Sequence, residues 1–234
     1  MPRKQRPRPV FERIDIERNV IERFLMQVKS YVKQNRKLVI TSLLGLLAFI
    51  IIVIAAVVAV NMIIERDQKR FEKIMNDYAM YSMMGQKDKL PGIKSDLIKF
   101  VDSSYFGFPH TMAYYVLGNS YYDDKDYKKA DEYLRIYARK DSSSIFAPLA
   151  LIKAAVAREE MNDLKGALEL YRELEDKYAA SVIADQIFFN YARVYGKKND
   201  LFNSKKYYTR VITLFPDSSF ANLARKRLFM LGVR

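Results

Sequence analysis

The sequence predicts an all-α protein, in which one transmembrane helix near the N-terminus precedes an α-solenoid of helix pairs. Three observations support this fold class. Residues 38–64 form a run without a charged side chain. The rest of the chain is rich in Ala, Leu, Lys and Glu and lacks the apolar–polar alternation that is typical of strands. Small and bulky residues recur beyond residue 104 at a step of 37 positions, which indicates stacked helical repeats.

Residues 1–37 form a basic head with eleven Lys or Arg against four Asp or Glu. Residues 1–9 (MPRKQRPRP) have a composition typical of disordered segments. Apolar residues then recur at helical spacing between residues 10 and 33, which predicts an amphipathic juxtamembrane helix. Its predicted apolar face comprises Ile14, Ile21, Phe24, Leu25, Val28 and Val32. Two roles are open for this face: contact with the inner membrane surface, or docking on a partner.

Residues 38–64 are predicted to cross a membrane once, since about 20 apolar residues suffice to span a hydrocarbon core of ~30 Å. Lys and Arg favour the cytoplasmic flank, so we expect the N-terminus in the cytoplasm and the domain from residue 65 onward outside it. A cleaved signal peptide, with Val57-Val58-Ala59 as a poor cleavage site, is the alternative. Its apolar core would be shorter and would begin closer to the N-terminus.

The net charge of +13 does not indicate nucleic-acid binding once it is divided along the chain. The head contributes +7, eleven minus four, and the region from Glu65 onward contributes +6, 29 minus 23. Basic residues in that region are scattered among acidic ones, whereas a nucleic-acid binder shows a coherent basic face. The chain has no cysteine, which excludes disulfides, thiolate metal ligands and a cysteine nucleophile.

Beyond the anchor we predict a helical linker with a degenerate first repeat, residues 65–104, and then repeats with a closing helix, residues 105–234. The helix is expected to continue to about residue 84 and to break at Gly85 and at Pro91-Gly92. Tyr81, Ile93 and Leu97 mark the degenerate first repeat. Small residues recur where paired helices would approach closely: Gly118, Ala155 and Ala192, and Ala130, Ala167 and Ser204. Bulky residues recur where they would fill the space between pairs: Tyr114, Leu151 and Phe188, and Leu134, Tyr171 and Tyr208. Asp-Ser-Ser sequences, at 102–104, 141–143 and 217–219, are predicted to cap the helices that follow them.

These positions resemble the tetratricopeptide repeat, a helix–turn–helix unit of 34 residues. The sequence departs from that pattern by three extra residues in each repeat, which we place in the loops between repeats. The second repeat departs furthest, because Arg158 stands where an aromatic residue is expected.

No catalytic, metal or cofactor constellation is found, and we predict a non-enzymatic protein without a small-molecule substrate. The single histidine, His110, follows Pro109 at a predicted helix start and is expected to be a solvated turn residue. The sequence Asp123-Asp124-x-Asp126 resembles the start of a calcium loop but lacks the glycine and glutamate that such a loop needs. We therefore interpret it as the turn between two helices.

The candidate site is a protein-binding groove on the first helices of the repeats, which line one face of such a solenoid. Its predicted residues are Met112, Tyr115, Asn119 and Tyr122 in the first repeat, Leu149, Ile152, Val156 and Glu159 in the second, and Gln186, Phe189 and Arg193 in the third. Such a groove suits an extended or helical apolar segment of another protein. For each residue alone, packing against the neighbouring repeat is the alternative.

The architecture resembles the YfgM-like ancillary SecYEG translocon subunit family, which combines a basic amphipathic head, one anchor and an extracytoplasmic repeat domain. The residues that carry the resemblance are the juxtamembrane segment 28–37, the anchor and the repeats of residues 114–228. The resemblance implies a bacterial inner-membrane protein with a periplasmic domain. It would sit beside the Sec translocon, associate with a periplasmic chaperone and shelter unfolded client segments. The closing sequence FPDSSFANLARKRL is also similar to repeats of envelope-assembly proteins. An envelope-assembly or cell-division scaffold of the same fold is therefore the alternative.

Overall fold

The computed structural model describes residues 10–232, with side chains from residue 20 onward except that of Lys87. The segment predicted to be disordered, residues 1–9, lies outside these residues. The described chain is helical throughout and contains no strand. Its α-helices are α1 (Val10–Gln34), α2 (Arg36–Met83), α3 (Leu90–Ser103), α4 (Phe108–Asp123), α5 (Tyr127–Lys140), α6 (Ala147–Glu160), α7 (Leu164–Tyr178), α8 (Ala184–Lys197), α9 (Leu201–Leu214) and α10 (Ser219–Met230). A short 3₁₀ helix, Lys87–Lys89, precedes α3.

The chain divides into two compact units, one ending at Met62 and the other beginning at Ile63. The first unit contains α1 and most of the apolar part of α2. Helix α1 confirms the helix predicted for residues 10–33. Within the described residues, α2 is the one helix that is long and apolar enough to cross a membrane. None of its most apolar window is buried by the other residues that the structure describes. That α2 spans a membrane remains a prediction.

The predicted break of the helix at Gly85 is confirmed. Helix α2 ends at Met83, and Gly85 follows with a φ of +67°, a left-handed conformation that glycine adopts without a steric penalty. The backbone N–H of Gln86 donates to the carbonyl of Tyr81 at 2.9 Å, which closes the end of the helix. Pro91 then occupies the first turn of α3, where its missing N–H leaves no donor unpaired.

The step of 37 residues is visible in the turns that join α4 to α5, α6 to α7 and α8 to α9. Each turn has a non-glycine residue with positive φ: Lys125, Asn162 and Asn199. The next residue in each turn is an aspartate whose carboxylate accepts from a backbone N–H three residues later: Asp126, Asp163 and Asp200. Each of these turns has three residues, whereas the loops between repeats are longer, with six residues between α5 and α6 and five between α7 and α8.

The prediction that Asp-Ser-Ser sequences cap the following helices is correct only before α10. There the Ser218 hydroxyl accepts from the Ala221 N–H at 3.0 Å. Helix α4 begins after Gly107 and α6 after Phe146, and neither has a side-chain cap. At the first of these sequences, Ser103 instead belongs to the end of α3, where its hydroxyl donates to the Lys99 carbonyl at 2.8 Å.

The small residues predicted to allow close helix approach do so. Gly118, Ala155 and Ala192 are buried on the first helices of the three pairs. A Cβ on Gly118 would stand 2.6 Å from Cγ of Leu134 on the paired helix. Any larger residue at position 118 would therefore push α4 away from α5.

The core of the second unit consists of two clusters. The larger cluster extends from α5 to α10 and includes Tyr171, Phe188 and Val211, which are fully buried. The smaller joins the end of α2 to α3 and α4, where the rings of Phe71 and Phe100 pack at 5.7 Å between centroids. Ile93 and Leu97, predicted to mark a degenerate first repeat, lie in this smaller cluster.

Candidate protein-binding groove

Two charged residues of the predicted groove bind each other. Arg193 donates to both carboxylate oxygens of Glu159, at 2.6 and 2.7 Å, and Lys197 adds a third contact at 2.9 Å. The Glu159 side chain is fully buried, while Arg193 keeps about a quarter of its surface exposed. These contacts join α6 to α8, so the pair links the second repeat to the third instead of offering free charges to a ligand.

A similar polar contact joins the first repeat to the second. Lys153 donates to the side-chain oxygen of Asn119 at 2.5 Å, across 34 residues, and its ammonium lies 4.8 Å from the ring centre of Tyr122. The Asn119 amide in turn donates to the Tyr115 carbonyl at 2.8 Å. Polar bridges therefore connect the first helices of neighbouring repeats on the face where the groove was predicted.

Two apolar residues of the predicted groove belong to the core. Ile152 and Phe189 are buried, with 6% and 7% of their surface exposed. The Phe189 ring packs against Tyr208 on α9 and Phe220 on α10, each at 5.4 Å between centroids. For these two residues, the alternative of packing against neighbouring helices is the one that the structure shows.

The other predicted groove residues are half-buried and keep some exposed surface: Met112, Tyr115, Asn119, Tyr122, Leu149, Val156, Gln186 and Arg193. The Tyr115 ring packs in a tilted arrangement against the rings of Tyr137 and Phe146, at 5.1 and 5.7 Å between centroids. The predicted face is thus partly accessible in every repeat, but its apolar residues are separated by the polar bridges described above.

An apolar groove of the second unit lies at its N-terminal end, between the C-terminal part of α2 and helices α3 and α4. It has a volume of about 490 Å³. Tyr115 and Asn119 are the predicted residues that line it. The rest of the lining was not predicted from the sequence: Met75, Tyr78, Leu90, Pro91, Ile93, Lys94, Leu97, Val116, Ser120, Asp123 and Asp124. We call this site the N-terminal groove.

Charged side chains border the apolar surface of the N-terminal groove. The Lys94 ammonium pairs with the Asp124 carboxylate and lies 3.6 Å from the ring centre of Tyr121. The neighbouring Asp123 is exposed at the C-terminal end of α4. An apolar ligand with a positive charge at one end would fit this arrangement of side chains.

His110 is buried, which corrects the prediction of a solvated turn residue. It is 5% exposed and lies in the first turn of α4, where its ring packs edge-on against Tyr114 at 5.2 Å. Burial lowers the pKa of His110, the nearby charge of Lys140 lowers it further, and Asp67 opposes the change. Pro109 and His110 both lie in the first turn of α4, and both are buried.

The predicted turn at 123–126 is confirmed, because Asp126 caps α5 through the Lys129 N–H at 3.2 Å. Within the described part of the chain, no three His, Asp or Glu side chains come together in a way that could hold a metal ion.

Comparison with known families identifies three repeats. Sequence models of the tetratricopeptide repeat match residues 149–181 and 186–218 over full repeats, and residues 113–135 over a shorter stretch. The match to the first repeat is the shortest of the three. The repeat that departs furthest from the pattern, judged by the length of the match, is therefore the first and not the second. The repeats and the helical architecture support a tetratricopeptide-repeat protein with an α-solenoid fold and a role in protein interaction. The matched models are not those of a catalytic family.

No curated protein matches the sequence. Among solved structures, the chain is similar to a crystal structure from Bacteroides ovatus ATCC 8483 that is provisionally described as a protein-binding protein. The two share 12% identity with a TM-score of 0.41, and the similarity covers 69% of this chain and 98% of the other.

Proposed function

We propose that this chain is a single-pass membrane protein whose repeat domain binds segments of other proteins outside the cytoplasm. The observation that carries the proposal is that one chain combines tetratricopeptide repeats with an uncharged helical run that none of the described residues buries. An exposed apolar surface of that length on a soluble protein would promote aggregation, whereas a bilayer would bury it. The excess of basic residues before the run favours a cytoplasmic N-terminus.

Topology can be tested with single cysteines, because the chain has none of its own. Ser142 is exposed between α5 and α6, and Ser30 is exposed on α1. In intact cells, an impermeant maleimide should label Ser142→Cys and should label Ser30→Cys only after the membrane is permeabilised. Labelling of position 30 with protection of position 142 would reverse the orientation, and labelling of both only after lysis would argue for an internal location.

The N-terminal groove is the proposed binding site, and its proposed ligand is an extended apolar polypeptide segment. Tyr78 lines the groove, while Phe202 is 79% exposed on α9, away from it. A photo-reactive amino acid at position 78 should give discrete adducts with partner proteins in intact membranes. The same amino acid at position 202 is the matched control. Equal adducts at the two positions would exclude the groove as the principal site.

We further propose that the scaffold acts beside the Sec translocon with a periplasmic chaperone, on the basis of its resemblance to YfgM-like subunits. Crosslinking in intact membranes, followed by affinity purification and identification of the partners, tests this. Recovery of Sec subunits with a periplasmic chaperone supports the proposal. Recovery of outer-membrane assembly or cell-division proteins would replace it with the envelope-assembly alternative, while the anchored scaffold would stand.

A further inference from the structure

Helix α1 carries an uncovered apolar stripe. Its side chains are exposed in every case: Ile21, Phe24, Leu25, Val28, Tyr31 and Val32. At about 100° per residue these positions cover an arc of about 120°, which is typical of a helix that lies on an extended apolar surface. The seam of a two-stranded coiled coil is narrower. The stripe is therefore wider than a second copy of α1 would need.

Positive charge borders this stripe. Lys29 and Lys33 lie one turn apart on one side of it, and both are exposed. Arg36 and Lys37 follow at the start of α2, and Glu22 is the one acidic residue between positions 20 and 37. Two copies anchored in parallel would bring these like charges together. The charge pattern instead complements an anionic surface.

Asn35 separates α1 from α2 and belongs to neither helix. Helical hydrogen bonds nevertheless continue on both sides of it: its backbone N–H donates to the Tyr31 carbonyl at 2.9 Å, and its own carbonyl accepts from the Val39 N–H at 2.9 Å. Its side-chain amide donates to the same Tyr31 carbonyl at 3.2 Å. The uncharged run of α2 begins three residues later, at Leu38. Asn35 thus stands where a spanning helix would leave the hydrocarbon core, and α1 would have to bend near this residue to lie along the membrane surface.

We propose that α1 lies on the cytoplasmic leaflet of the membrane that α2 crosses, bound to anionic phospholipids. The apolar stripe would enter the boundary between headgroups and acyl chains, and Lys29 and Lys33 would contact lipid phosphates. This inference rests on the proposed anchoring by α2. It goes beyond that anchoring because it assigns a lipid class and a binding surface to the head.

The experiment uses the full chain, reconstituted into vesicles of phosphatidylcholine alone or of phosphatidylcholine with one quarter phosphatidylglycerol. A single cysteine that carries an environment-sensitive fluorophore replaces Phe24 in the stripe, or Ser30 on the opposite side of α1. In anionic vesicles we expect blue-shifted emission at position 24 and at least threefold stronger quenching by spin-labelled lipids there than at position 30. The Lys29→Gln/Lys33→Gln variant should lose most of this difference, as should neutral vesicles.

Two outcomes would overturn the proposal. Equal quenching at positions 24 and 30, whether weak or strong, would show that α1 does not lie with one face on the lipid. Blue-shifted emission at position 24 that depends on protein density and not on lipid charge would assign the stripe to a second copy. A label at Ile52, in the middle of the uncharged run, separates this failure from that of the anchor. Quenching at position 52 without quenching at 24 rejects only the lipid-bound helix, whereas no quenching at 52 rejects the anchor itself.

Discussion

Glu159 carries its charge inside the fold, and the contacts that satisfy it come from the next repeat. Its carboxylate is fully buried and is held by Arg193 and Lys197 of α8. Removal of one partner of a buried ion pair is destabilising because the remaining charge stays desolvated. The destabilisation is smaller when the remaining charge can be solvated again. Because Arg193 is partly exposed, removal of Glu159 leaves a guanidinium that is only partly desolvated.

We therefore predict that Glu159→Ala lowers the free energy of unfolding by about 2 kcal/mol. Urea unfolding of the detergent-solubilised full chain, followed by far-ultraviolet circular dichroism, measures this change. Glu160→Ala is the matched control, since Glu160 is the next residue and is exposed. Its effect should stay within about 0.5 kcal/mol. Equal effects of the two substitutions would contradict a stabilising role for the buried pair.

His110 makes stability depend on pH in a direction that the structure fixes. Burial holds the pKa of His110 below its ordinary value, so the unfolded chain takes up the proton more readily than the folded chain. Stability is therefore retained above pH 6.5, the ordinary pKa of the group, and is lost as the pH falls below that value.

We predict that the urea midpoint of the unmodified chain falls between pH 7.5 and pH 5.5 by more than that of His110→Phe. The phenyl ring keeps the contact with Tyr114 but cannot bind a proton. The comparison isolates one group, because the chain has a single histidine. If the two proteins lose stability in parallel, His110 is not the group responsible.

At the scale of the elements, the three turns within the repeats share a backbone geometry, but the residue with positive φ is not the same in all of them. A left-handed conformation is unfavourable for most residues, and asparagine tolerates it better than lysine. The second and third turns carry Asn162 and Asn199 at this position, and the first carries Lys125. The first turn is therefore expected to be the most strained of the three.

We predict that Lys125→Asn raises the free energy of unfolding by about 0.5–1 kcal/mol and that Asn199→Lys lowers it by a similar amount. Both side chains are exposed, so few contacts change with the substitution. Lys125→Gln is the matched control, because it removes the same charge without the tolerance of asparagine for the left-handed conformation. Stabilisation by Lys125→Asn but not by Lys125→Gln would confirm that backbone strain is the cause. Equal stabilisation by the two variants would point to side-chain charge instead.

Repeat positions on the elements were predictable because they depend on local spacing. The recurrence of small residues such as Gly118 identified the paired helices, and Gly85 identified the end of α2. The burial of Phe189 was not predictable, because it depends on α10 returning to pack on α8 through Phe220. Spacing defines a helix face, but it does not say which neighbour covers that face.

The candidate site was predictable only in part for the same reason. The N-terminal groove combines Met75 and Tyr78 of α2 with α3 and α4, and contacts between such distant segments leave no trace in the spacing of any one of them. The surroundings of His110 also involve a distant segment, since Asp67 of α2 lies near enough to affect its pKa. The marks of a degenerate first repeat, Ile93 and Leu97, were the one signal that pointed to this end of the domain.

At the scale of the second unit, the two core clusters imply unequal local stability. Helix α8 packs against α7, α9 and α10, whereas α3 packs mainly against α4. Elements with fewer packed neighbours open at lower free energy, without unfolding of the rest.

We predict that backbone amides of α3 exchange with deuterium at least tenfold faster than those of α8. Mass spectrometry of peptides that cover residues 90–103 and 184–197 measures the two rates in the same sample. Peptides that contain the turns provide the fast reference. Slower exchange in α3 than in α8 would show that the smaller cluster is the more stable of the two.

Because α3 forms a wall of the N-terminal groove, occupancy of the groove and opening of α3 are linked equilibria. A segment that binds only the closed groove reduces the open population by a factor of 1 + [L]/Kd. Above the Kd, each tenfold rise in ligand concentration therefore slows deuterium uptake in α3 about tenfold. Helix α3 would then report the affinity of any candidate segment, with no label on either molecule.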